Sequence, residues 1–342
     1  MAWEDANPLL RLTECLTQSS ASNTYNLASP REWLEYLEVQ VGSGAYTVLR
    51  CDYNLRERTW ETWGQDFHAH RLCESLECLT SGQFGNGAFE QAGIDSEEII
   101  SCLLESAGCA LDKKHSGVDD DRKCTVMMTL LWQPLRSQIL VRGHGFSSEV
   151  ASSVLDYNPN PISTTIAVSS DGRRQIPNRH ELHPQAKLSS WCRQRRPLEK
   201  AFKVGDTAEV ILTQTINKEI YLLEGLTSNL FVIYPGGILR TSDEDSVLGG
   251  YARKLVIDCA HKCGLEVDIG PIPMDESHLW EEMFLTSAVK LIIPVREIKM
   301  IQQSSDGGTE LKDLWSPISG TDQTIWRLLY EQMLLDNRVL SS

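Results

Sequence analysis

The chain has 342 residues, of which 41% are hydrophobic and 23% are charged, and its formal net charge is −15. A chain of this length can bury one large core or two medium ones, so the composition predicts a globular protein. The acidic balance argues against a nucleic-acid partner or an anionic membrane surface, because phosphate-rich partners bind basic faces. Small-molecule chemistry is therefore favoured.

The cysteines and the N-terminus bound the protein further. None of the ten cysteines forms a CxxC pair, and no histidine stands at ligand spacing beside two of them, so we predict reduced core thiols and no metal site. The N-terminus lacks a basic segment followed by an apolar run, and no stretch approaches the ~18 apolar residues of a membrane helix. We expect a cytoplasmic protein without a membrane span.

The first half of the chain carries both helix and strand signals. Ser29, followed by Pro30 and Glu32, predicts an N-cap, a proline at the first helical position and a capping glutamate for a helix over about 30–40. The β-branched and aromatic residues of 45–50 predict a strand. Other predicted elements are a Ser/Thr/Asn-rich surface segment at 13–28, helical segments near 67–76 and 96–110, and strands at 126–131 and 139–141.

The second half alternates strands with one clear helix. Gly249 and Gly250 precede a helical segment at 251–263, with Gly264 as its C-cap. Pro235 begins a turn that joins two strands of an antiparallel meander. The predicted strands are 208–213, 219–223, 229–234, 238–240, 283–285 and 291–295.

A stretch rich in turn residues indicates where two domains meet. Residues 171–178 include Asp, Gly, Pro and Asn but few apolar side chains. Such exposed polar stretches are typical of inter-domain connections. We therefore predict an N-terminal domain at 1–175 and a C-terminal domain at 176–342.

Lys187 and Glu224 are the groups that pyridoxal-phosphate chemistry needs. An amine can bond covalently to an aldehyde, and a carboxylate can keep a pyridine nitrogen protonated. Leu222 and Leu223 precede Glu224 and Gly225 follows it, a context that would remove the carboxylate from water. The alternatives are a surface lysine in a basic run and a solvated glutamate at a strand end.

Several motifs along the chain share their order with a known family. They are Gly44 to Arg50, Phe67 to Leu72, Ala186 to Trp191, Glu224 to Phe231, Leu248 to Arg253, and Phe284 to Val295. In this order they resemble the class IV, or fold-type IV, pyridoxal-phosphate-dependent aminotransferase family over roughly 44–297. That group includes branched-chain aminotransferases, D-amino acid aminotransferases and aminodeoxychorismate lyase.

The resemblance implies a fold and an assembly. It implies an α/β (α+β) protein with a smaller N-terminal α/β domain and a larger C-terminal pseudobarrel domain that binds pyridoxal 5'-phosphate. It also implies a homodimer of cytoplasmic amino-acid metabolism.

The resemblance assigns roles to particular residues. Lys187 would be the catalytic amine, Glu224 would contact the pyridine nitrogen, and Arg71 would bind the phosphate. Where the family usually has Ile-Thr this chain has Tyr251 and Ala252, and where it often has a phosphate-binding Thr this chain has Ala288. The alternative for Arg71 is a helix-surface arginine paired with Glu74 or Glu77. The implied cofactor-binding residues are Arg71, Lys187, Glu224, Gly250, Tyr251, Ala252, Ser287 and Ala288.

Candidate substrate contacts are fewer. The resemblance places Tyr46 on the substrate side of the cofactor, and Arg142 is a candidate for binding an α-carboxylate. Arginines 193, 195 and 196 are further candidates, but their alternative is a solvated helical face with Trp191 packed beneath. Cys192 stands where branched-chain aminotransferases usually have tyrosine, which leaves the substrate open.

Three functions follow from these residues. The first is an aminotransferase that moves an amino group between an amino acid and a 2-oxo acid. The second is a lyase on the same scaffold. The third is a catalytically decayed aminotransferase-like protein, which Ala252 and Ala288 suggest by their lack of hydroxyl groups. Retention of Lys187, Glu224 and Arg71 together favours the aminotransferase.

Overall fold

The computed structural model describes residues 11–17, 44–80, 104, 123–133, 138–145, 162–167, 185–303, 309–317 and 325–340. The chain divides into two compact units. The main segments of the first are Met1–Asp156 and Ala186–Arg193, and those of the second are Tyr157–Gln185 and Gln194–Leu340. The predicted helix at 30–40 and the predicted domain connection at 171–178 lie outside the described residues.

The described strands of the first unit form one sheet. They are β1 (Arg11–Thr17), β2 (Ala45–Asn54), β3 (Thr59–Thr62), β4 (Lys123–Gln133) and β5 (Gln138–Gly145), and their order is β1-β5-β4-β2-β3. β1 is parallel to β5, and the other neighbours are antiparallel. The strands predicted at 45–50, 126–131 and 139–141 are confirmed. Residues 13–17, expected in a surface segment, instead belong to β1, because pairing with β5 supplies their backbone hydrogen bonds.

Helix α1 (Gln65–Thr80) packs on β2 and confirms the helical spacing near 67–76. Its buried face is unusual in composition, because it carries His68, Arg71 and Ser75, with exposures of 0%, 5% and 0%. These residues recur at the spacing of one helix face. Polar groups that are buried on a helix need hydrogen-bond partners. For this face of α1, the neighbouring strand β2 can supply them.

The described strands of the second unit form a larger sheet, and five helices complete the described elements of the chain. The strands are β6 (Ile162–Ala167), β7 (Thr207–Ile216), β8 (Glu219–Gly225), β9 (Asn229–Tyr234), β10 (Ile238–Thr241), β11 (Val267–Ile269), β12 (Ile272–Pro273), β13 (Glu282–Ser287), β14 (Leu291–Gln303) and β15 (Thr309–Trp315). The helices are α2 (Ser190–Gln194), α3 (Arg196–Phe202), α4 (Tyr251–Lys262), a 3-10 helix (Met274–Leu279) and α5 (Ile325–Leu340).

Six of these strands close into a barrel-like ring. The sheet runs β9-β13-β14-β6-β7-β8, and a further pairing of β8 with β9 joins its two ends. That closing pair is Glu224 and Asn229. The arrangement confirms the predicted pseudobarrel and the antiparallel meander of β7 to β10.

The division into units differs from the domain boundary predicted at residue 175. Strand β6 is parallel to both β14 and β7, so its hydrogen bonds tie it to the second unit. The segment Ala186–Arg193 belongs to the first unit although it lies beyond residue 175. Turn-forming composition marks a loop, but strand pairing decides which unit a segment joins.

All six residues of strand β9 in this ring are buried. Leu230 and Val232 join a core that also contains Trp280 and Trp315. On the other face of the strand, Phe231 stacks on Phe284 of β13 with ring centroids 5.1 Å apart. Burial on both faces fixes the start of β9, where Asn229 lies.

Two further expectations concern single features. No helix within the described ranges is long and apolar enough to cross a membrane. None of the cysteines with described side chains forms a disulfide; Cys51, Cys192 and Cys259 are buried, whereas Cys78 is exposed rather than in the core.

Candidate active site

The backbone at Lys187 is held by two elements of the first unit. Lys187 does not lie in a regular strand but beside an isolated bridge between Ala45 and Leu188. The Tyr46 amide donates a hydrogen bond to the Lys187 carbonyl at 2.9 Å. The Lys187 amide donates to the Ser75 hydroxyl at 3.0 Å. Because Ser75 lies on α1 and Tyr46 on β2, the packing of that helix on that strand fixes where the lysine begins.

The Lys187 side chain lies over an aromatic ring. Its Nζ is 5.1 Å from the centroid of Tyr46, which is 5% exposed, and Lys187 itself is half-buried. This contact is a cation–π interaction in a partly dehydrated place. The structure therefore brings the predicted catalytic amine and the predicted substrate residue Tyr46 together, while their roles stay predictions.

Arg71 is buried and bonds to neutral groups. Its Nη2 donates to Thr47 Oγ1 at 2.8 Å and approaches His68 Nδ1 at 3.0 Å. Its guanidinium also lies over the Phe67 ring, 5.2 Å from the centroid. The alternative of a surface arginine paired with Glu74 is wrong, because Arg71 is only 5% exposed.

The electrostatics of this cluster are one-sided. Burial lowers the pKa of Arg71 to about 10, an effect that Tyr46 and Glu74 oppose. Burial, then Arg71, then Lys187 lower the pKa of His68 well below its ordinary value, so its imidazole is neutral. Within the described part of the chain, no carboxylate forms a salt bridge with Arg71, and Glu74 is exposed and pairs with His70 at 3.2 Å. A buried guanidinium of this kind can bind an anion.

In the second unit, Glu224 is 2% exposed, which bears out the expectation that its context removes it from water. Its Oε2 accepts hydrogen bonds from the side-chain amide of Asn229 and the backbone amide of Leu248, both at 3.3 Å. Asn229 also donates to the Leu248 carbonyl at 2.7 Å. The carboxylate is thus oriented by β9 and by the segment that leads into α4.

The turn between β8 and β9 is built around a second carboxylate. Glu209 Oε2 accepts from the Thr227 amide at 3.3 Å and from the Ser228 hydroxyl at 3.2 Å. A Cβ added at Gly225 would come within 3.0 Å of both Ser228 and Glu209, so the turn requires glycine there. These contacts set the positions of Glu224 and Asn229 at either end of the turn.

Helix α4 begins with Gly250 at its N-cap, in an extended conformation and without a side-chain cap. Gly250 lies against Asn229, because an added Cβ would come within 3.0 Å of Asn229 Oδ1. The first two helical residues, Tyr251 and Ala252, are 7% and 1% exposed. The first amides of a helix lack intrahelical acceptors, so this end of α4 can bind an anion through its main chain.

A row of polar residues crosses three strands of this unit. Glu224 on β8 pairs with Asn229 on β9, which pairs with Thr286 on β13, so the three side chains share one face. Thr286 is 1% exposed, and its hydroxyl has no hydrogen-bond partner among the described residues. The neighbouring Ser287 hydroxyl accepts from the Lys290 amide at 3.2 Å, and Ala288 lies in the turn that follows β13.

Other predicted residues have different surroundings. Arg142 lies on β5 opposite Thr129 of β4. Arg193 is exposed, but Arg195 is 7% exposed and forms an ion pair with Glu199 at 3.3 Å. The expected solvated face is therefore wrong for Arg195, because the carboxylate of Glu199, four residues further along the chain, neutralises its charge. Trp191 is buried as expected.

The sequence interpretation missed Thr47, His68, Asn229 and Thr286. A signal existed for His68, since three residues separate it from Arg71 and place both on one helix face. Thr47 alternates with Tyr46 along a strand and gives no such signal. Asn229 and Thr286 become neighbours only through strand register, which a single sequence does not display.

The comparisons with known proteins identify the family. The model of the family described as amino-transferase class IV matches residues 44–298, more than half of the 342-residue chain. The chain therefore belongs to the class IV aminotransferase family. It is 33% identical over 79 residues to a putative branched-chain-amino-acid aminotransferase of Methanocaldococcus jannaschii. It is 33% identical over 84 residues to a probable one of Aquifex aeolicus. These matches cover 23% and 24% of this chain and 27% of each relative.

Solved structures confirm the fold. The T.th. branched-chain amino acid aminotransferase complexed with N-(5'-phosphopyridoxyl)-L-glutamate superposes with a TM-score of 0.60 at 16% identity, over 88% of this chain and 86% of that one. A putative branched-chain amino acid aminotransferase from Thermotoga maritima gives 0.55 at 20% identity, over 93% of both chains. At these identities the likeness establishes the α/β fold with its barrel-like sheet.

Proposed function

We propose that the protein is a pyridoxal-phosphate-dependent aminotransferase that moves an amino group between an amino acid and a 2-oxo acid. The observation that carries the proposal is the placement of Lys187. Its backbone is fixed by β2 and α1, and its amine lies over Tyr46 in a partly dehydrated place. Family membership supports the same reaction class.

The described residues fit this cofactor. Arg71 is a buried cation that forms no salt bridge with a described carboxylate, as a phosphate-binding residue requires. We also assign a phosphate-binding role to the main-chain amides of Gly250, Tyr251 and Ala252, because they begin α4. Ser287 and the adjoining Ala288 complete the proposed phosphate contacts, the latter through its main chain.

The remaining roles concern the chemistry. Pyridoxal phosphate, when bound, supplies an aldehyde that accepts the amino group and a ring that withdraws electrons. Lys187 Nζ is the proposed point of covalent attachment, and the displaced amine can carry a proton to and from the substrate carbon. Glu224, buried and oriented through Oε2, holds a proton at the pyridine nitrogen.

Substrate and assembly belong to the proposal as well. Tyr46 is the proposed contact on the substrate side, and Arg142 is the proposed partner of an α-carboxylate. The names of the relatives make branched-chain amino acids the first donors to test, with 2-oxoglutarate as acceptor. We propose a homodimer that acts in cytoplasmic amino-acid metabolism.

Covalent trapping tests the proposed function. The protein is mixed with pyridoxal phosphate, reduced with borohydride and digested, and the modified lysine is located by mass spectrometry. We expect the label on Lys187 and none on Lys187→Ala. Lys200→Ala is the matched control, because that exposed lysine lies on α3. A label that stays unchanged in Lys187→Ala contradicts the site.

Amino transfer tests the reaction class separately. Wild-type protein is supplied with each branched-chain amino acid and 2-oxoglutarate, and glutamate formation is measured. Glutamate that requires Lys187 supports the aminotransferase. Repeated turnover that releases the amino group as ammonia and forms no glutamate contradicts it.

A further inference from the structure

We infer that Thr47 and His68 are positioning residues that orient the Arg71 guanidinium toward the phosphate of the cofactor. The inference rests on the proposed function, because it takes pyridoxal phosphate as the ligand. It concerns the way in which the buried Arg71 is held, by a hydroxyl and an imidazole.

The hydrogen bonds of Arg71 leave a defined set of donors unused. Nη2 carries two N–H groups, which match Thr47 Oγ1 at 2.8 Å and His68 Nδ1 at 3.0 Å. Both contacts use the same nitrogen. The N–H groups of Nη1 and Nε are therefore not used by Thr47 or His68, and Nε is buried without a partner among the described residues.

Thr47 and His68, which hold Arg71, are also hydrogen-bonded to each other. Thr47 Oγ1 and His68 Nδ1 are 2.8 Å apart. Since arginine only donates, Nδ1 is an acceptor, which places the proton of the neutral imidazole on Nε2. The Thr47 oxygen accepts from Arg71, and the single lone pair of Nδ1 is shared between the Arg71 N–H and the Thr47 hydroxyl, so the three groups form one hydrogen-bonded cluster.

The strand and the helix that carry Thr47 and His68 are held in place by their packing. Thr47 and His68 are each 0% exposed. Thr47 lies on β2, where it pairs with Leu130 of β4, and His68 lies on α1, which packs on β2. The fold thus sets the guanidinium orientation before any ligand binds, which is how preorganised sites gain affinity.

The charges around Arg71 indicate which kind of ligand its remaining N–H groups bind. A neutral hydroxyl and a neutral imidazole orient the guanidinium without cancelling its charge. Lys187 adds a second cation that acts on His68. A ligand that carries full negative charge gains from this field, and in pyridoxal phosphate that group is the phosphate.

A matched pair of variants tests the inference. Thr47→Val keeps the shape and removes the hydroxyl, whereas Thr47→Ser keeps the hydroxyl. We measure the dissociation constants of pyridoxal phosphate and of pyridoxal, which lacks the phosphate, by absorbance titration. Thr47→Val should weaken pyridoxal phosphate about tenfold, equivalent to about 1.4 kcal/mol, and leave pyridoxal within about twofold. Thr47→Ser should restore wild-type binding of both.

The outcomes separate the inference from the proposed function. Equal affinity of wild type and Thr47→Val for pyridoxal phosphate overturns the inference and leaves the proposed function standing. Equal losses for both ligands also overturn it, because the phosphate then plays no part. A wild type that binds neither ligand overturns both. If Thr47→Val does not fold, His68→Leu removes the other acceptor of Nη2, and the same two dissociation constants are compared. His68→Asn, which keeps a polar side chain, is the matched control.

Discussion

Replacing Gly250 with alanine adds one methyl group at the N-terminus of α4, and the structure defines what that group meets. The new Cβ would come within 3.0 Å of Asn229 Oδ1, a distance at which the side chain must move. The backbone angles of Gly250, φ −80° and ψ 145°, are open to any residue. The effect of the substitution therefore comes from the collision, with no contribution from backbone strain.

The size of the effect follows from what Asn229 holds. Its amide donates to the Leu248 carbonyl at 2.7 Å and to Glu224 at 3.3 Å, and all of these groups are buried. Overpacking a buried position costs about 1–3 kcal/mol, and each lost hydrogen bond costs about 1 kcal/mol. The two costs overlap, because a movement of Asn229 that relieves the collision also breaks its hydrogen bonds. We therefore expect Gly250→Ala to lower the free energy of unfolding by about 2–4 kcal/mol.

The neighbouring glycine supplies the control. An added Cβ at Gly249 would meet nothing within 4 Å, so Gly249→Ala should change stability by less than about 0.5 kcal/mol. Urea unfolding monitored by tryptophan fluorescence compares the two variants. Adding Asn229→Ala should relieve much of the Gly250→Ala defect, which gives strong non-additivity. If Gly250→Ala is as stable as Gly249→Ala, the packing of Asn229 against the helix start is wrong.

Three further predictions follow from buried groups. Because the folded pKa of His68 lies below its ordinary 6.5, only the unfolded chain gains this proton as pH falls. Unfolding free energy should therefore drop below about pH 6.5 by up to about 1.4 kcal/mol per pH unit, and His68→Asn should remove that slope in urea titrations at several pH values. Thr286→Val removes a buried hydroxyl without a described partner, so a stabilisation of about 1 kcal/mol is expected, and a loss of stability contradicts it. Ala252→Thr crowds a residue that is 1% exposed, so a thermal melt should show destabilisation by about 1–3 kcal/mol, and an unchanged melt refutes the crowding.

Much of the second unit is legible in the sequence, since its strands are short apolar runs bounded by turn residues. The left-handed conformations at Gly236 and Gly237 match the turn expected after Pro235. Helix α4 ends where Gly264, with φ +74°, predicts a C-cap. Local patterns suffice in these places, because the preference of each residue and the final conformation agree.

The parts that the sequence did not predict depend on distant partners. The acidic neighbours of Arg71 along its helix left a surface arginine open as the alternative, but the packing of α1 on β2 buries it against Thr47. The turn-rich composition near residue 175 suggested a boundary, but β6 pairs with strands far along the chain. In both cases the deciding contact joins residues whose proximity no local pattern records.

The two hydroxyls that this chain lacks are weak evidence for a decayed site. A neutral hydrogen bond contributes about 0.5–1.5 kcal/mol, whereas one to a charged group contributes about 1.5–3 kcal/mol. Arg71 supplies charged donors from a buried position where its partners are neutral, and α4 supplies main-chain amides that no side-chain change removes. Ala252 is packed at 1% exposure, so its methyl group fills space in the helix start. Under the proposed assignment, the larger contributions to phosphate binding come from groups that are present, and we expect the affinity to depend on how well Arg71 is held.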